Sequence, residues 1–333
     1  MNDEPTKAPA PAEPAPFRSG SVALVGRPNA GKSTLLNHIL GQKLSIVSPK
    51  PQTTRNRVVG IHTDEACQLV LVDTPGLHDA KNRMNRSMVE VARGSLSGVD
   101  AVCWVVDGEK CVERVEGGQP VSHKGHQVIA AMIAESGAGV EGGPKVIIAL
   151  NKVDKVAKLW LLPVIAELAA LIPGAQVVPI SARKGSGVDH LVRTLAALMP
   201  ARPPLHAPDQ LTLSPERFIV SELIREKIFL LTHQEVPYST AVEVEKFEEE
   251  APAGGHERGR VVIYARILVE RDGQKGVLIG KGGTMLKEIG TRARQDIQAL
   301  LGTRVHLELH VAVEEGWSES ARMLREQGIE GGN

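Results

Sequence analysis

The 333-residue chain is short of several things, and each shortage narrows what it can do. No apolar run approaches the roughly 18 residues that a membrane-crossing helix needs, so none is expected to span a bilayer. No hydrophobic signal segment opens the chain, which points to a cytoplasmic protein. Aromatic residues make up only 3%, too few to expect a nucleic-acid surface built on stacked bases. The three cysteines, Cys67, Cys103 and Cys111, form no C-x-x-C pair and no disulfide framework. Cys67 and Cys103 lie in or beside apolar runs and read as reduced core residues. The 11 histidines show no H-E-x-x-H or other metal-ligand spacing. Neither charge sign is in excess, with 39 basic and 39 acidic residues, so the chain as a whole attracts neither nucleic acid nor membrane.

What is present is concentrated in four boxes. Gly26-Arg27-Pro28-Asn29-Ala30-Gly31-Lys32-Ser33-Thr34 fits the phosphate loop G-x-x-x-x-G-K-S/T, between an apolar strand at 21–25 and a helix that follows. Its glycines let backbone N–H groups and the helix N-terminus face an anion. Lys32 reaches toward β- and γ-phosphates, and the Ser33 hydroxyl suits Mg²⁺. Asp73-Thr74-Pro75-Gly76-Leu77 then ends a second apolar strand. Its carboxylate can hold the metal, often through water, and Gly76 can offer an N–H to a γ-phosphate. Asn151-Lys152-Val153-Asp154 follows a third strand, where Asp154 can accept from guanine's N1–H and exocyclic amine together. Adenine lacks that donor pair. Ser181-Ala182-Arg183, after a fourth strand, can bring a backbone N–H to guanine O6. Any one box alone is a common turn; four in this order point to a guanine-nucleotide site.

Residues 1–17 form a Pro/Ala-rich tail without a core and are expected to be disordered. From 18 to 199, strands near 21–25, 57–62, 67–72, 101–106, 145–150 and 176–180 alternate with helices at 32–40, 84–97, 123–136, 158–171 and 187–199. That rhythm predicts an α/β P-loop domain, a mostly parallel sheet with helices on both faces. The generous 107–144 spacing reads as a surface insertion. A proline-rich linker spans 200–212. Over 213–325 the order becomes helix 215–232, strands 238–247 and 260–269, helix 273–279, a glycine turn, a helix to about 301 and a strand at 304–313, followed by a C-terminal tail. This α+β order is that of a type II KH domain. Gly280-Lys281-Gly282-Gly283 is its G-x-x-G loop, which clamps single-stranded backbone. Val277-Leu278-Ile279 supplies an apolar groove wall. Residues 258–306 hold ten Lys/Arg against four Asp/Glu, Lys275, Lys281 and Lys287 among them, which suits a phosphate backbone.

The chain resembles the translation-factor-related small GTPases and, more narrowly, the Era family of bacterial GTPases. The narrow likeness rests on Pro51-Gln52-Thr53-Thr54-Arg55, on Asp73-Thr74-Pro75-Gly76-Leu77-His78, on Glu235-Val236-Pro237-Tyr238-Ser239 and on the G-x-x-G loop. It covers roughly 19–324. It implies that Lys32, Thr54 and Gly76 serve hydrolysis, and that Ser33, Thr54 and Asp73 hold Mg²⁺, with Thr53 the alternative to Thr54. It further implies RNA binding at the 3′ end of 16S rRNA, work on the 30S subunit, a monomer, and peripheral attachment to the inner membrane. Leu77 stands where Ras-like enzymes carry a water-orienting glutamine, so slow turnover is expected. His78 is weighed as a base against a packing role. Asn29 is weighed between potassium binding and a loop hydrogen bond. The rival reading is a nucleotide-sensing interaction protein with negligible turnover whose second domain binds protein.

Overall fold

The computed structural model describes residues 16–77, 83–252 and 258–329. All but the last two residues of the expected disordered tail, and His78, lie outside the described residues. The first half is a six-stranded sheet in the order β2-β3-β1-β4-β5-β6. It comprises β1 (Arg18–Val25), β2 (Val58–Thr63), β3 (Cys67–Asp73), β4 (Ala101–Asp107), β5 (Lys145–Asn151) and β6 (Gln176–Pro179). Only β2 runs antiparallel to its neighbour. All seven residues of β3 and of β4 are buried, as strands covered on both faces require.

Side-chain alternation sorts the strands onto two apolar layers. Val22, Leu24, Leu69, Leu71 and Cys103 face α1 (Lys32–Leu40) and a later helix, Val188–Leu198. Ala23, Val25, Val102, Trp104 and Ile148 face the opposite layer. That layer contains α3 (Gly108–Glu116), α4 (Lys124–Glu135) and α5 (Leu161–Leu171), while α2 is Arg83–Gly94 and α6 is Val188–Leu198. The expectation of a surface insertion over 107–144 is therefore wrong. Cys111, Val112, Val121, Ile129 and Met132 are buried there. Two parallel strands, β4 and β5, need a crossover of this size, and its two helices cover the sheet. All three cysteines are free and buried, and burial pushes the Cys103 thiol up to about 12.

Among the described residues, 200–212 contribute two isolated bridges, Arg18 to Ala201 and Gly60 to Thr212. They are nonetheless fastened to the sheet. Gln68 accepts the amides of Leu205 and His206, and Arg202 reaches Asp100 at 2.7 Å.

In the second half, α7 (Glu216–Leu231), α8 (Asp272–Ile279) and α9 (Thr284–Leu301) pack on the sheet β7-β8-β9. Its strands are Ala241–Glu249, Val261–Val269 and Val305–Val313, with β7 antiparallel and β9 parallel to β8. The apolar cluster under β1 and β3 continues without a break into Ile219, Leu223, Ile263 and Ile297 of this half. After β9 the chain is not a loose tail. Trp317 is fully buried, and Met323 and Leu324 of α10 (Ala321–Glu326) join Met84 and Met88 of α2 in one cluster. No helix among the described residues is long and apolar enough to cross a membrane.

Candidate functional site

The phosphate loop leaves β1 through two glycines that nothing else could replace. Gly26 has φ 154° and a Cβ there would sit 2.3 Å from the Val105 carbonyl oxygen. Gly31 has φ 99° and its Cβ would meet the Asn151 amide at 2.2 Å. The loop opens α1 with no side-chain cap, so the helix's first N–H groups face the cleft that the loop borders. That cleft encloses about 600 Å³ and is lined by Pro28, Asn29, Gly31, Lys32, Ser33, Thr34, Thr54, Gly76, Lys152 and Arg183, among others.

Three oxygen-bearing side chains converge here, Ser33 and Thr54 on the cleft's lining and Asp73 fully buried beside Ser33. The Ser33 Oγ lies 2.9 Å from the Thr54 Oγ1 and donates to Asp73 Oδ2 at 2.6 Å. Ser45, which the sequence did not single out, also donates to Asp73 Oδ2, at 2.7 Å. The other carboxylate oxygen, Oδ1, is buried and has no hydrogen-bond partner among the described residues. Burial pushes the Asp73 carboxyl above the usual range, against the attraction of Lys32. Thr53 also lines the cleft, but its hydroxyl is bonded to the Ser48 hydroxyl and the Lys50 carbonyl instead of Ser33. Lys32 is buried, with its ammonium on the carbonyls of Gly26 and Arg27 at 3.2 and 3.3 Å, and burial lowers its pKa.

Other residues of the four boxes build the cleft from behind. Thr74 donates to the Leu24 carbonyl, and Leu77 sinks its side chain into the apolar layer while its N–H bonds Gly26. Gly76 passes so close to Pro28 that a Cβ would approach it to 2.8 Å. Arg27 leaves the cleft to contact His123, and Asn29 donates to the Pro49 carbonyl at 2.7 Å. Asn151 ties two boxes together, donating to the Ala30 carbonyl at 2.8 Å and accepting from the Ala182 amide at 2.9 Å. Lys152 is held by Asp107 at 2.6 Å. Asp154 accepts from the Ser181 hydroxyl at 2.7 Å, and this bond holds its carboxyl below the usual range. Gly26, Arg27, Ala30, Asp73, Thr74, Pro75, Leu77, Asn151, Val153, Asp154, Ser181 and Ala182 thus stand around the cleft rather than on its lining.

A second site lies on the far half. Gly280, Gly282 and Gly283 have φ of 70°, 63° and 79°, and they form the turn between α8 and α9. Lys281 and Lys287 are exposed, and neither they nor Lys275 form an ion pair among the described residues. The expected groove wall needs correction: Val277 is 49% exposed, but Leu278 is fully buried because it faces the sheet.

Comparison with known proteins assigns a family to each half of the chain. A family model described as a 50S ribosome-binding GTPase matches residues 21–152, and a KH-domain model matches 235–318. The GTPase Era of Geotalea uraniireducens is 50% identical over 314 residues, which cover 94% of this chain and 98% of the relative. This chain belongs to the Era family of GTPases. Era of Geobacter sp. strain M21 is also 50% identical over 94% of the chain. Two solved Era structures, each 36% identical, superpose over 94% of the chain with TM-scores of 0.83. One is an Aquifex aeolicus variant bound to GDP·AlF4⁻, and it is covered over 100% of its length. The other is an Era in complex with MgGDPNP and nucleotides 1506–1542 of 16S ribosomal RNA. As an Era GTPase, the chain combines a GTP-hydrolysing domain with a KH domain. The family's Glu235–Ser239 signature has a physical role here. The carbonyls of Pro237 and Tyr238, with that of Thr240, receive the guanidinium of Arg55 at 3.1, 2.7 and 2.7 Å.

Proposed function

We propose that the chain is a GTP-driven switch that binds the 3′ end of 16S rRNA and acts in maturation of the small ribosomal subunit. The observation that supports this most is the pairing of a cleft bordered by hydroxyls and a buried carboxylate with a positive-φ G-x-x-G loop whose flanking lysines form no ion pair among the described residues, in a family with a member solved on that RNA. Ser33, Thr54 and Asp73 would hold Mg²⁺. An orphaned Asp73 oxygen beside two converging hydroxyls is a donor set suited to a hard cation. Bound there, Mg²⁺ would supply positive charge that offsets the charge of the phosphates. Lys32, released from two loop carbonyls, adds a cation buried enough to be weakly screened. Asp154, kept ionised by Ser181, accepts the two guanine donors, and Asn151 holds the two flanking loops in register. The buried Leu77 orients no water, so intrinsic turnover is slow. A potassium ion at Asn29 would use its Oδ1, the amide's only acceptor atom, and the Nδ2 bond to the Pro49 carbonyl fixes the orientation of that oxygen. Equal rates in sodium and potassium would leave Asn29 only its loop-holding role. Peripheral attachment to the inner membrane, tested by co-sedimentation with anionic vesicles, completes the reading.

The decisive experiment replaces Lys281 and Gly282 with aspartates. Gly282 has open space around its Cα, so the fold survives with some backbone strain. Binding to a 16S 3′-end oligonucleotide should collapse, while GTP hydrolysis without RNA stays at the parent rate. A folded variant that binds the oligonucleotide normally would show that this loop is not the RNA clamp.

A further inference from the structure

The segment that carries Thr54 is held mainly by the other half of the molecule. On one side of Thr54, the Thr53 carbonyl accepts a hydrogen bond from Arg225 Nη2 on α7. On the other side, Arg55 is only 2% exposed and fills the carbonyl cup of 237–240. Both guanidiniums lie over the Phe229 ring, that of Arg55 5.7 Å and that of Arg225 5.2 Å from its centroid. Further along the segment, Lys50 donates to the carbonyls of Phe229 and Thr232, and the Val47 amide donates to Glu226 at 2.9 Å. Thr54 itself touches the nucleotide half through one hydroxyl contact, the 2.9 Å approach to Ser33.

We propose that Arg225 is a positioning residue for GTP hydrolysis: by holding the Thr53 carbonyl from the KH half, it sets the Thr54 hydroxyl beside Ser33. The inference rests on the reading of Thr54 as a metal ligand. It makes α7 the element through which the RNA-binding half controls the nucleotide cleft. Arg225 suits the task because its planar fork serves two partners at once. It pairs with both oxygens of Glu222, at 2.8 and 2.6 Å, while a remaining N–H reaches Thr53. A lysine has a single ammonium on a flexible stem and cannot hold that geometry. Arg55 anchors the residue after Thr54, so the two arginines fix the peptide units on either side. Coupling of this kind is reciprocal: whatever moves α7 moves Thr54, and whatever recruits Thr54 tightens α7.

The test uses the full chain. Arg225→Gln alone strands a buried Glu222 carboxylate, so Glu222→Gln combined with Arg225→Gln is the main variant. In this variant without nucleotide, amide exchange over 47–56 should speed up by about tenfold or more. Single-turnover GTP hydrolysis should fall by about tenfold or more, with GDP affinity within about twofold of the parent. Arg225→Lys should fall between the two. Adding Thr54→Ala to the double variant should cost nothing more, because both changes remove the same hydroxyl from its place. In the parent, a GTP analogue should slow exchange at 237–240 relative to GDP. A folded double variant with parental exchange and parental hydrolysis overturns the inference, as does equal exchange at 237–240 in both nucleotide states. Impaired Thr54→Ala together with a fully active Arg225 variant overturns Arg225 alone. Parental hydrolysis by Thr54→Ala sinks the Thr54 reading first, and the inference with it.

Discussion

At the scale of single residues, two carboxyls beside the cleft are shifted in opposite directions by their surroundings. Asp154 is held ionised by the Ser181 hydroxyl, whereas burial raises the carboxyl of Asp73 until a cation offsets it. Asp154→Asn replaces an acceptor of two donors with a group that also donates. GTP affinity should fall by about a hundredfold or more, since each charge-assisted bond is worth roughly 1.5–3 kcal/mol. Xanthine nucleotides should gain, and competition binding with XTP against GTP reads both effects. His126 gives a pH dependence. It is buried against Trp104, and its Nδ1 lies 2.9 Å from the Val121 carbonyl. Burial first, then His123 and the nearby arginines, depress it from 6.5 to about 4. The unfolded chain therefore binds the extra proton first. The stability from neutral His126 is complete above pH 6.5 and is lost as pH falls toward 4, about 2 kcal/mol of it by pH 5. Urea midpoints at pH 7.5 and 5 should separate the parent from His126→Gln by that amount.

Among elements, α10 and the turn before it matter more than their place at the end of the chain suggests. Trp317 donates to the Ser239 carbonyl at 3.0 Å, and its ring shares a cluster with Met84 and Met88 of α2. That helix follows the D-x-x-G box. The Asn56 amide meanwhile donates to the Gln327 carbonyl, so the C-terminal segment touches both the stretch that carries Thr54 and the helix that follows Gly76. Trp317→Ala removes a fully buried indole and should cost about 3–4 kcal/mol. Hydrogen exchange should report the loss first in α2 and α10. Loss spread evenly over β7–β9 instead would show that Trp317 serves only its own sheet. Expectations for α1, α7, α8 and α9 came within a residue or two of the structure because apolar spacing and glycine or proline punctuation mark their ends. Helix α3 was missed because it is short and only Cys111, Val112 and Gly108 are buried.

For the whole molecule, the two halves are joined by charge as well as by apolar surface. Glu226 on α7 is 1% exposed at its side chain and holds Lys43 at 2.5 Å and Lys227 at 2.8 Å, while Asp296 on α9 closes the group. Glu226→Ala leaves two lysines to share one carboxylate and frees the Val47 amide. Breaking such a buried group should cost about 3 kcal/mol, measured as a shift in urea midpoint. The same variant should loosen 43–47 and the facing side of α7 together.

The sequence by itself determined the chemistry and the order of parts. Glycines with forced φ, a lysine and a hydroxyl on a helix start, a carboxylate at a strand end and an N-K-x-D box are local patterns, and local patterns survive being read one residue at a time. What only the tertiary structure decided are the long-range partners. It chose Thr54 over Thr53 as the neighbour of Ser33, and it added Ser45 to the Asp73 site. It gave Asn151 to two loops and Arg55 to a cup of backbone carbonyls more than 180 residues away. No spacing rule encodes such contacts, because they arise when two separately patterned halves pack and each buried donor must find an acceptor.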